Sequence, residues 1–198
     1  MTSLHGGLPE TFFGRSNMAD QRQADQPGDC CNVLFICEDN AVSSITAEAL
    51  LERWGAKGFR AFSAGVMPKH ECNPLVAEVL KENRIWHDGL RSKGYEEFLS
   101  PDAPPMDLVI SLGERPPAQL PIAWPGRPEV IHWHITEPAT DGDSATKARS
   151  FRKTFLELEN RIKLLVLVYQ RERSRMAAVT RPSWLERSAS GAANRVSM

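Results

Sequence analysis

The sequence predicts a single α/β domain built on a doubly wound, four-stranded parallel sheet with helices on both faces. Four short apolar segments of strand type are separated by helical patterns, and this alternation is typical of parallel sheets. The segment 32–37 is continuously apolar, as expected of a strand buried on both faces. With 198 residues, 41% of them hydrophobic, the chain is long enough to bury a substantial core.

The elements follow from local patterns. Strands are predicted at 32–37, 59–63, 106–112 and 129–133, helices at 44–54, from 73 onward and at 144–170, and a short helical turn at 94–99. Gly55 is a natural stop for the first helix. Asn73 and Pro74 are a favoured N-cap and first helical residue. Large apolar residues recur at three- and four-residue steps from Phe151 to Tyr169, so the last helix has a strong amphipathic pattern.

Both ends of the chain differ in composition from the domain predicted at 30–170. Residues 1–29 are rich in Gly, Gln, Asp and Ser and lack an apolar signal segment, which predicts a disordered N-terminal tail. Residues 171–198 carry six arginines against two glutamates. We expect a basic, disordered C-terminal tail, with docking on a protein partner or on an anionic surface as the alternative.

Composition narrows the function classes. A net charge of −1 gives no general attraction to nucleic acid or to acidic membranes, so neither is expected as a partner. No apolar run reaches membrane-spanning length. The cysteines at 30, 31, 37 and 72 form no C-x-x-C pair, and His132 and His134 lack a third ligand, so no metal and no cofactor are expected. We expect a cytoplasmic protein.

Cys37 ends the first strand, and the loop after it leads into the first helix. Helix N-terminal amides attract anions, so a cysteine here suits a thiolate that faces a bound oxyanion. The rest of this loop is Glu38, Asp39, Asn40, Ala41, Val42, Ser43 and Ser44. The alternative is a buried structural thiol, because cysteine often serves as a small core residue.

Further segments extend this pattern. They are 62–65 followed by Pro68, Asn73-Pro74, Ser92-Lys93, 107–110, His132-Trp133, 137–139 and Phe151-Arg152. Together with the Cys37 loop they resemble the low-molecular-weight protein tyrosine phosphatases and the related thioredoxin-coupled arsenate reductases, from about Asn32 to Tyr169. The resemblance implies a cysteine nucleophile at Cys37, a loop-shaping Asn40, a thiolate-supporting Ser44 and a general acid at the position of Glu137.

The chain departs from that family inside the loop. The resemblance implies an arginine that binds the oxyanion, and Ser43 stands there, with no charge and no bidentate fork. Glu38 and Asp39 replace small neutral residues. A carboxylate about 6 Å from a bound anion costs roughly 2–3 kcal/mol, against about 0.3–1 kcal/mol from the helix dipole. We therefore expect anion binding to be weak and the Cys37 pKa to be raised, unless the carboxylates point into solvent.

Arsenate reduction is further disfavoured. The resemblance implies two more cysteines after the third strand, and residues 111–121 contain none. Cys30, Cys31 and Cys72 are the remaining thiols, and the sequence does not place them near Cys37.

Two functions remain. The leading hypothesis is a catalytically impaired, phosphatase-like binding or regulatory module, with a phosphoprotein or another oxyanion as ligand. The alternative is an active phosphoric monoester hydrolase acting on phosphotyrosine or small phosphate esters through Cys37 and Glu137. That enzyme would need a substitute cation, for which Arg115 is the first candidate and Arg91 and Lys69 are more remote.

Overall fold

The computed structural model describes residues 30–85, 89–120 and 123–180, with no side chains described for 177–180. The predicted tail at 1–29 and residues 181–198 lie outside the described residues. The strands are β1 (Cys31–Cys37), β2 (Phe59–Gly65), β3 (Leu108–Gly113) and β4 (Glu129–His134). The α-helices are α1 (Ser43–Gly55), α2 (Pro74–Glu82) and α3 (Ser144–Thr180), and 3₁₀ helices lie at Ala56–Gly58 and Tyr95–Phe98.

The four strands form one parallel sheet in the order β2-β1-β3-β4. β1 is therefore central, and Val33 to Cys37 are at most 2% exposed. Its continuous apolar run fits a strand that is covered on both faces. The predicted fold class is confirmed.

Apolar residues of the sheet face two separate core clusters. One face packs on α1, α2 and α3 through residues such as Phe35, Leu50 and Leu158. The other face, with Leu34, packs on the 3₁₀ helix at Tyr95–Phe98 and on loop residues such as Trp124. Helical structure thus covers both faces, with all three α-helices on one of them.

Helix α2 begins as predicted, because the Asn73 side chain accepts a hydrogen bond from the Leu75 amide at 3.1 Å and Pro74 is the first helical residue. Helix α3 corrects the prediction at its other end. It runs to Thr180 instead of ending at Gln170, so the expectation of a disordered chain from residue 171 is wrong for 171–180. Arginine and glutamate are good helix formers and continue the helix beyond its core contacts.

The sheet fixes the position of the loop that follows Cys37. β1 delivers Cys37 to the carboxyl edge of the sheet, between the ends of β2 and β3. Ligands of open parallel sheets bind at this edge. Within the described part of the chain, no helix is apolar over a length that would cross a bilayer.

Candidate active site

The loop 37–44 takes its shape from backbone hydrogen bonds to the segment that follows β2. Four loop carbonyls, those of Cys37, Glu38, Asp39 and Ala41, accept from the amides of Val66, Met67, Lys69 and Asn73 at 2.8–3.1 Å. In a trans peptide the N–H points opposite to the C=O, so the amides that follow these carbonyls face the other way, into the loop. Inward-facing backbone N–H groups are the donors that anion-binding loops use.

Gly65 allows the end of β2 to approach the loop this closely. A Cβ atom at Gly65 would lie 2.9 Å from both the amide nitrogen and the Cβ of Asn40, which is shorter than side chains tolerate. Asn40 itself has a φ of 46°, in the left-handed region that asparagine adopts more readily than most residues. Gly65 and Asn40 together set the turn of the loop.

Asn40 is completely buried and holds the loop from inside. Its side-chain amide donates to Ser44 Oγ at 2.7 Å and to Ser63 Oγ at 3.0 Å. Its Oδ1 accepts from the backbone amide of Lys93 at 2.7 Å. These bonds join the loop to α1, to β2 and to the segment at Lys93.

A buried ion pair extends this network. Lys93 Nζ lies 3.1 Å from Glu48 Oε2 and 3.2 Å from Ser63 Oγ, and Ser63 also donates to Glu48. The side chains of Lys93 and Glu48 are 8% and 9% exposed. Lys93 belongs to one of the sequence segments that resemble the phosphatase family, but no sequence pattern indicated Glu48 as its partner. That pairing depends on the fold, because the two residues are 45 positions apart.

Cys37 lies at the base of the loop with 2% of its surface exposed. Its Sγ is 3.0 Å from Ser44 Oγ and 3.9 Å from Asp39 Oδ1. The pKa of Cys37 is raised to about 11: burial is the largest cause, the Ser44 hydrogen bonds oppose it, and the charges of Glu137 and Asp39 add smaller increases. The group is therefore a neutral thiol at pH 7, and burial contributes more to this than the carboxylates on which the sequence-based expectation depended.

Ser43 and Glu137 meet directly across the site. The buried Ser43 hydroxyl donates to Glu137 Oε2 at 2.8 Å. Although Glu137 is an exposed residue, its carboxylate turns inward, and desolvation raises the pKa of Glu137 above its usual range, with the Ser43 bond opposing. Among the described residues, no lysine or arginine donates a hydrogen bond to Cys37, Ser43 or Glu137.

The two acidic residues of the loop point in different directions. Glu38 is exposed. Asp39 turns onto the loop, where its Oδ1 accepts from the Ala41 amide at 3.1 Å. The other oxygen, Oδ2, pairs with Lys69 Nζ at 2.6 Å. The Ala41 amide is thus already hydrogen-bonded to the Asp39 carboxylate, and Lys69 is paired with the same carboxylate.

A cavity of about 650 Å³ opens above the loop. Its charged lining residues are Glu38, Asp39, Glu71, Glu114, Glu137, Lys69 and Arg115. Five carboxylates thus face two cations, one of which is paired with Asp39. Arg115 is exposed and lines this cavity, as the sequence suggested for a substitute cation, whereas Arg91 pairs with Glu97 and does not line it.

The other cysteines lie at different distances from the loop. Cys30 and Cys31 lie at or just before the start of β1, which ends at Cys37, so about 20 Å of extended chain separates them from it. They are too far away to form a disulfide with Cys37 in this fold. Cys72 lines the cavity, and none of the four cysteines is in a disulfide.

The two histidines of β4 have separate partners. His132 Nδ1 is 3.0 Å from Ser111 Oγ, and His134 Nδ1 is 3.1 Å from the Glu114 carbonyl. Within residues 30–85, 89–120 and 123–180, no group of three His, Cys, Asp or Glu side chains is arranged to hold a metal ion. These histidines contact the sheet and the loop after β3.

One family model matches the part of the chain that contains the cysteine loop and the β2-β1-β3-β4 sheet. That model, the low molecular weight phosphotyrosine protein phosphatase, matches residues 32–175. The chain belongs to this phosphatase family. The matched range includes the loop, the cavity and most of α3.

Solved structures agree with this family assignment. An arsenate reductase from Archaeoglobus fulgidus is 28% identical, with a TM-score of 0.52, and the match covers 68% of this chain and 98% of that one. A thioredoxin-dependent arsenate reductase from Corynebacterium glutamicum is 27% identical, with a TM-score of 0.56 and coverage of 74% and 65%. The YwlE arginine phosphatase from Geobacillus stearothermophilus, at 23% identity, a TM-score of 0.56 and coverage of 73% and 96%, is similar in fold.

Proposed function

We propose that this member of the phosphatase family is catalytically impaired and acts as a binding or regulatory module. The observation that carries the proposal is the Ser43–Glu137 hydrogen bond of 2.8 Å. By resemblance, Ser43 stands where the family has its oxyanion-binding arginine, and its only charged partner among the described residues is a carboxylate. A phosphoryl group at this point would meet a negative charge where catalysis needs a positive one.

The state of the nucleophile supports the same proposal. Only the thiolate attacks phosphorus, and a pKa of about 11 leaves Cys37 protonated at neutral pH. Asp39 adds to this by placing a carboxylate oxygen 3.9 Å from the sulfur and on the Ala41 amide. The ligand proposed for the module is a phosphoprotein or another oxyanion, held in the cavity by Arg115, because Lys69 is already paired with Asp39.

Turnover of an aryl phosphate tests the proposal. Purified full-length protein and its Cys37→Ser variant are given p-nitrophenyl phosphate at pH 6 to 8. We expect both to show the same background rate. Robust turnover by the wild type that disappears in Cys37→Ser would refute the impaired-enzyme proposal.

A second experiment asks whether the loop keeps its anion-binding shape. The triple variant Ser43→Arg/Glu38→Gln/Asp39→Asn should bind phosphate or arsenate measurably by calorimetry, because it regains a cation and loses two carboxylates. The matched control Glu38→Gln/Asp39→Asn keeps Ser43 and should bind much more weakly. Absence of binding in the triple variant would mean that the loop has lost its shape as well as its charge.

The alternative is an active cysteine-dependent phosphatase for phosphotyrosine or small phosphate esters. Its supporting observation is that Arg115 lines the cavity above the loop. On this alternative, Arg115→Ala abolishes turnover of the aryl phosphate, whereas Arg127→Ala, at an exposed position outside the cavity lining, leaves turnover unchanged. Equal activity of both variants would rule out Arg115 as the substitute cation.

A further inference from the structure

Helix α3 has a second apolar stripe on the side away from the core. Leu156, Leu164, Leu167 and Val168 are 54%, 60%, 46% and 50% exposed. At 3.6 residues per turn these four positions fall within a sector of about 120°. Phe155, Leu158 and Ile162, at most 3% exposed, lie on the opposite side of the helix and fill the core. The helix is therefore apolar on two faces, and only one of them is covered by the domain.

Cations flank this exposed stripe. Arg149, Lys153 and Arg171 lie on the same side of α3, are exposed, and have no ion-pair partner within the described part of the chain. Lys163, also on this side, is paired with Glu159 and lies 4.2 Å from the ring centroid of Trp54. The glutamates that border the stripe are paired with arginine or lysine on the same helix: Glu157 with Arg161, Glu159 with Lys163 and Glu172 with Arg175.

Trp54 extends the surface from α1 onto the edge of α3. The ring is 37% exposed, and the Arg53 guanidinium is 5.4 Å from its centroid on the same helix. An exposed tryptophan held between two cations, next to exposed leucines, combines the residue types that favour the boundary between water and lipid. The α3 patch is defined as Trp54, Leu156, Leu164, Leu167 and Val168 with Arg149, Lys153, Lys163 and Arg171.

Charge is segregated along the chain. Residues 144–180, which form α3, hold nine lysines and arginines against three glutamates. Residues 1–143 hold twelve lysines and arginines against twenty-one aspartates and glutamates. The expectation that the protein avoids acidic membranes depended on the net charge of −1, which averages over these two regions. At physiological salt, charges further apart than about 8 Å are screened from one another, so an approaching surface responds to the local charge of the basic region and not to the net charge of the chain.

We infer that the α3 patch is a docking surface for an anionic lipid bilayer. Cations beside exposed leucines and a tryptophan match the chemistry of amphipathic helices that lie in the plane of such a surface. Nucleic acid would use the cations and leave the four aliphatic side chains in water. A second copy docked through the same patch would oppose like charges across a two-fold axis. Of these three occupants, lipid is the one that accounts for both the charge and the apolar area.

Co-sedimentation of the full-length protein with vesicles tests this inference. We expect binding to phosphatidylcholine vesicles with about 30% phosphatidylserine, roughly tenfold weaker binding to pure phosphatidylcholine, and loss of binding in about 0.5 M NaCl. Leu164→Ser/Leu167→Ser should weaken binding by about tenfold or more, since it removes two leucine side chains that the bilayer would bury. Lys153→Glu/Arg171→Glu should weaken it at least as much. The matched control Lys81→Glu/Arg127→Glu makes the same charge change at exposed positions off the patch and should bind like the wild type.

Three results would overturn the inference. One is no binding to the anionic vesicles by the wild type. Another is binding that Leu164→Ser/Leu167→Ser leaves unchanged, which would assign it to charge alone or to another segment of the chain. The third is a dimer, seen by light scattering, that the leucine variant dissociates, because a second copy would then cover the patch. Circular dichroism of each variant confirms that α3 is intact, as expected for changes at side chains about half exposed.

Discussion

At the residue scale, the chemistry of the site depends on which protonation state the surroundings of Cys37 favour. Burial and two nearby carboxylates favour the thiol, and the Ser44 hydroxyl favours the thiolate. The same loop in an active phosphatase would need the opposite balance. Ser44 and Glu137 are therefore the residues whose substitution should alter this balance most.

The pH dependence of Cys37 alkylation should report this balance. With iodoacetamide and peptide-resolved mass spectrometry, the rate at Cys37 should rise with a midpoint near pH 11, because only the thiolate reacts. Glu137→Gln should lower the midpoint, since it removes a charge that raises the pKa. Ser44→Ala should raise it, since it removes the hydrogen bond that lowers the pKa. A wild-type midpoint below pH 8 would contradict the thiol assignment.

Lys93 and Glu48 give a second prediction at this scale. Lys93→Met leaves the Glu48 carboxylate buried without its partner and should lower the free energy of unfolding by about 3–5 kcal/mol in urea titrations. Lys93→Met/Glu48→Leu removes both charges and should recover most of that loss. If the double variant is as unstable as the single one, the loss of stability in Lys93→Met would come from altered packing and not from the unpaired Glu48 charge.

Some of these residues were predictable and some were not. The sequence identified Cys37 from its place between a strand and a helix, and Ser43 and Glu137 from the resemblance to the phosphatase family. It did not decide where the Asp39 carboxylate points, since the backbone turn at Asn40 and the reach of Lys69 together determine it. The Ser43–Glu137 bond joins positions 94 residues apart, which local patterns do not relate.

At the scale of elements, apolar runs and periodic patterns predicted the existence and type of each strand and each α-helix, but not the 3₁₀ helix at Ala56–Gly58. The main error, the end of α3, has a physical reason. Its core contacts end near Tyr169, so the apolar pattern stops there, whereas helix propensity alone continues the helix to Thr180. The same pattern also concealed the second apolar stripe, because each exposed leucine lies among core residues in the sequence.

Leucine-to-alanine substitutions on α3 should distinguish the contributions of its two apolar faces to the free energy of unfolding. Leu158→Ala opens a cavity in the core and should lower the free energy of unfolding by about 2–5 kcal/mol. Leu164→Ala, two turns away and 60% exposed, should change it by less than about 0.5 kcal/mol. Denaturation with urea measures both. Comparable losses would mean that the exposed stripe is covered in the folded protein.

At the scale of the whole molecule, the chain has two sequence segments of opposite charge although its net charge is only −1. Residues 144–198 hold twelve lysines and arginines against four glutamates, and the carboxylates of the cavity lie in the acidic remainder. Because the two segments carry opposite net charges, the basic segment of one copy attracts the acidic segment of another.

Static light scattering should detect this attraction. At low ionic strength near pH 7, we expect a negative second virial coefficient that becomes positive by about 0.15 M NaCl, where charges are screened beyond about 8 Å. Lys153→Glu/Arg171→Glu should weaken the attraction, because it reduces the basic end. A coefficient that is positive at low salt would contradict a dominant dipolar attraction.

The bonds between the loop carbonyls and the segment 66–73 have one more consequence. They are formed within the protein and need no bound anion, so the loop has little structure left to gain when a ligand arrives. The reorganisation energy of binding should therefore be small. Substitutions that change only charge in this loop can then be interpreted as electrostatic effects on a fixed frame, which makes the domain a suitable host for measuring how individual charges determine anion affinity.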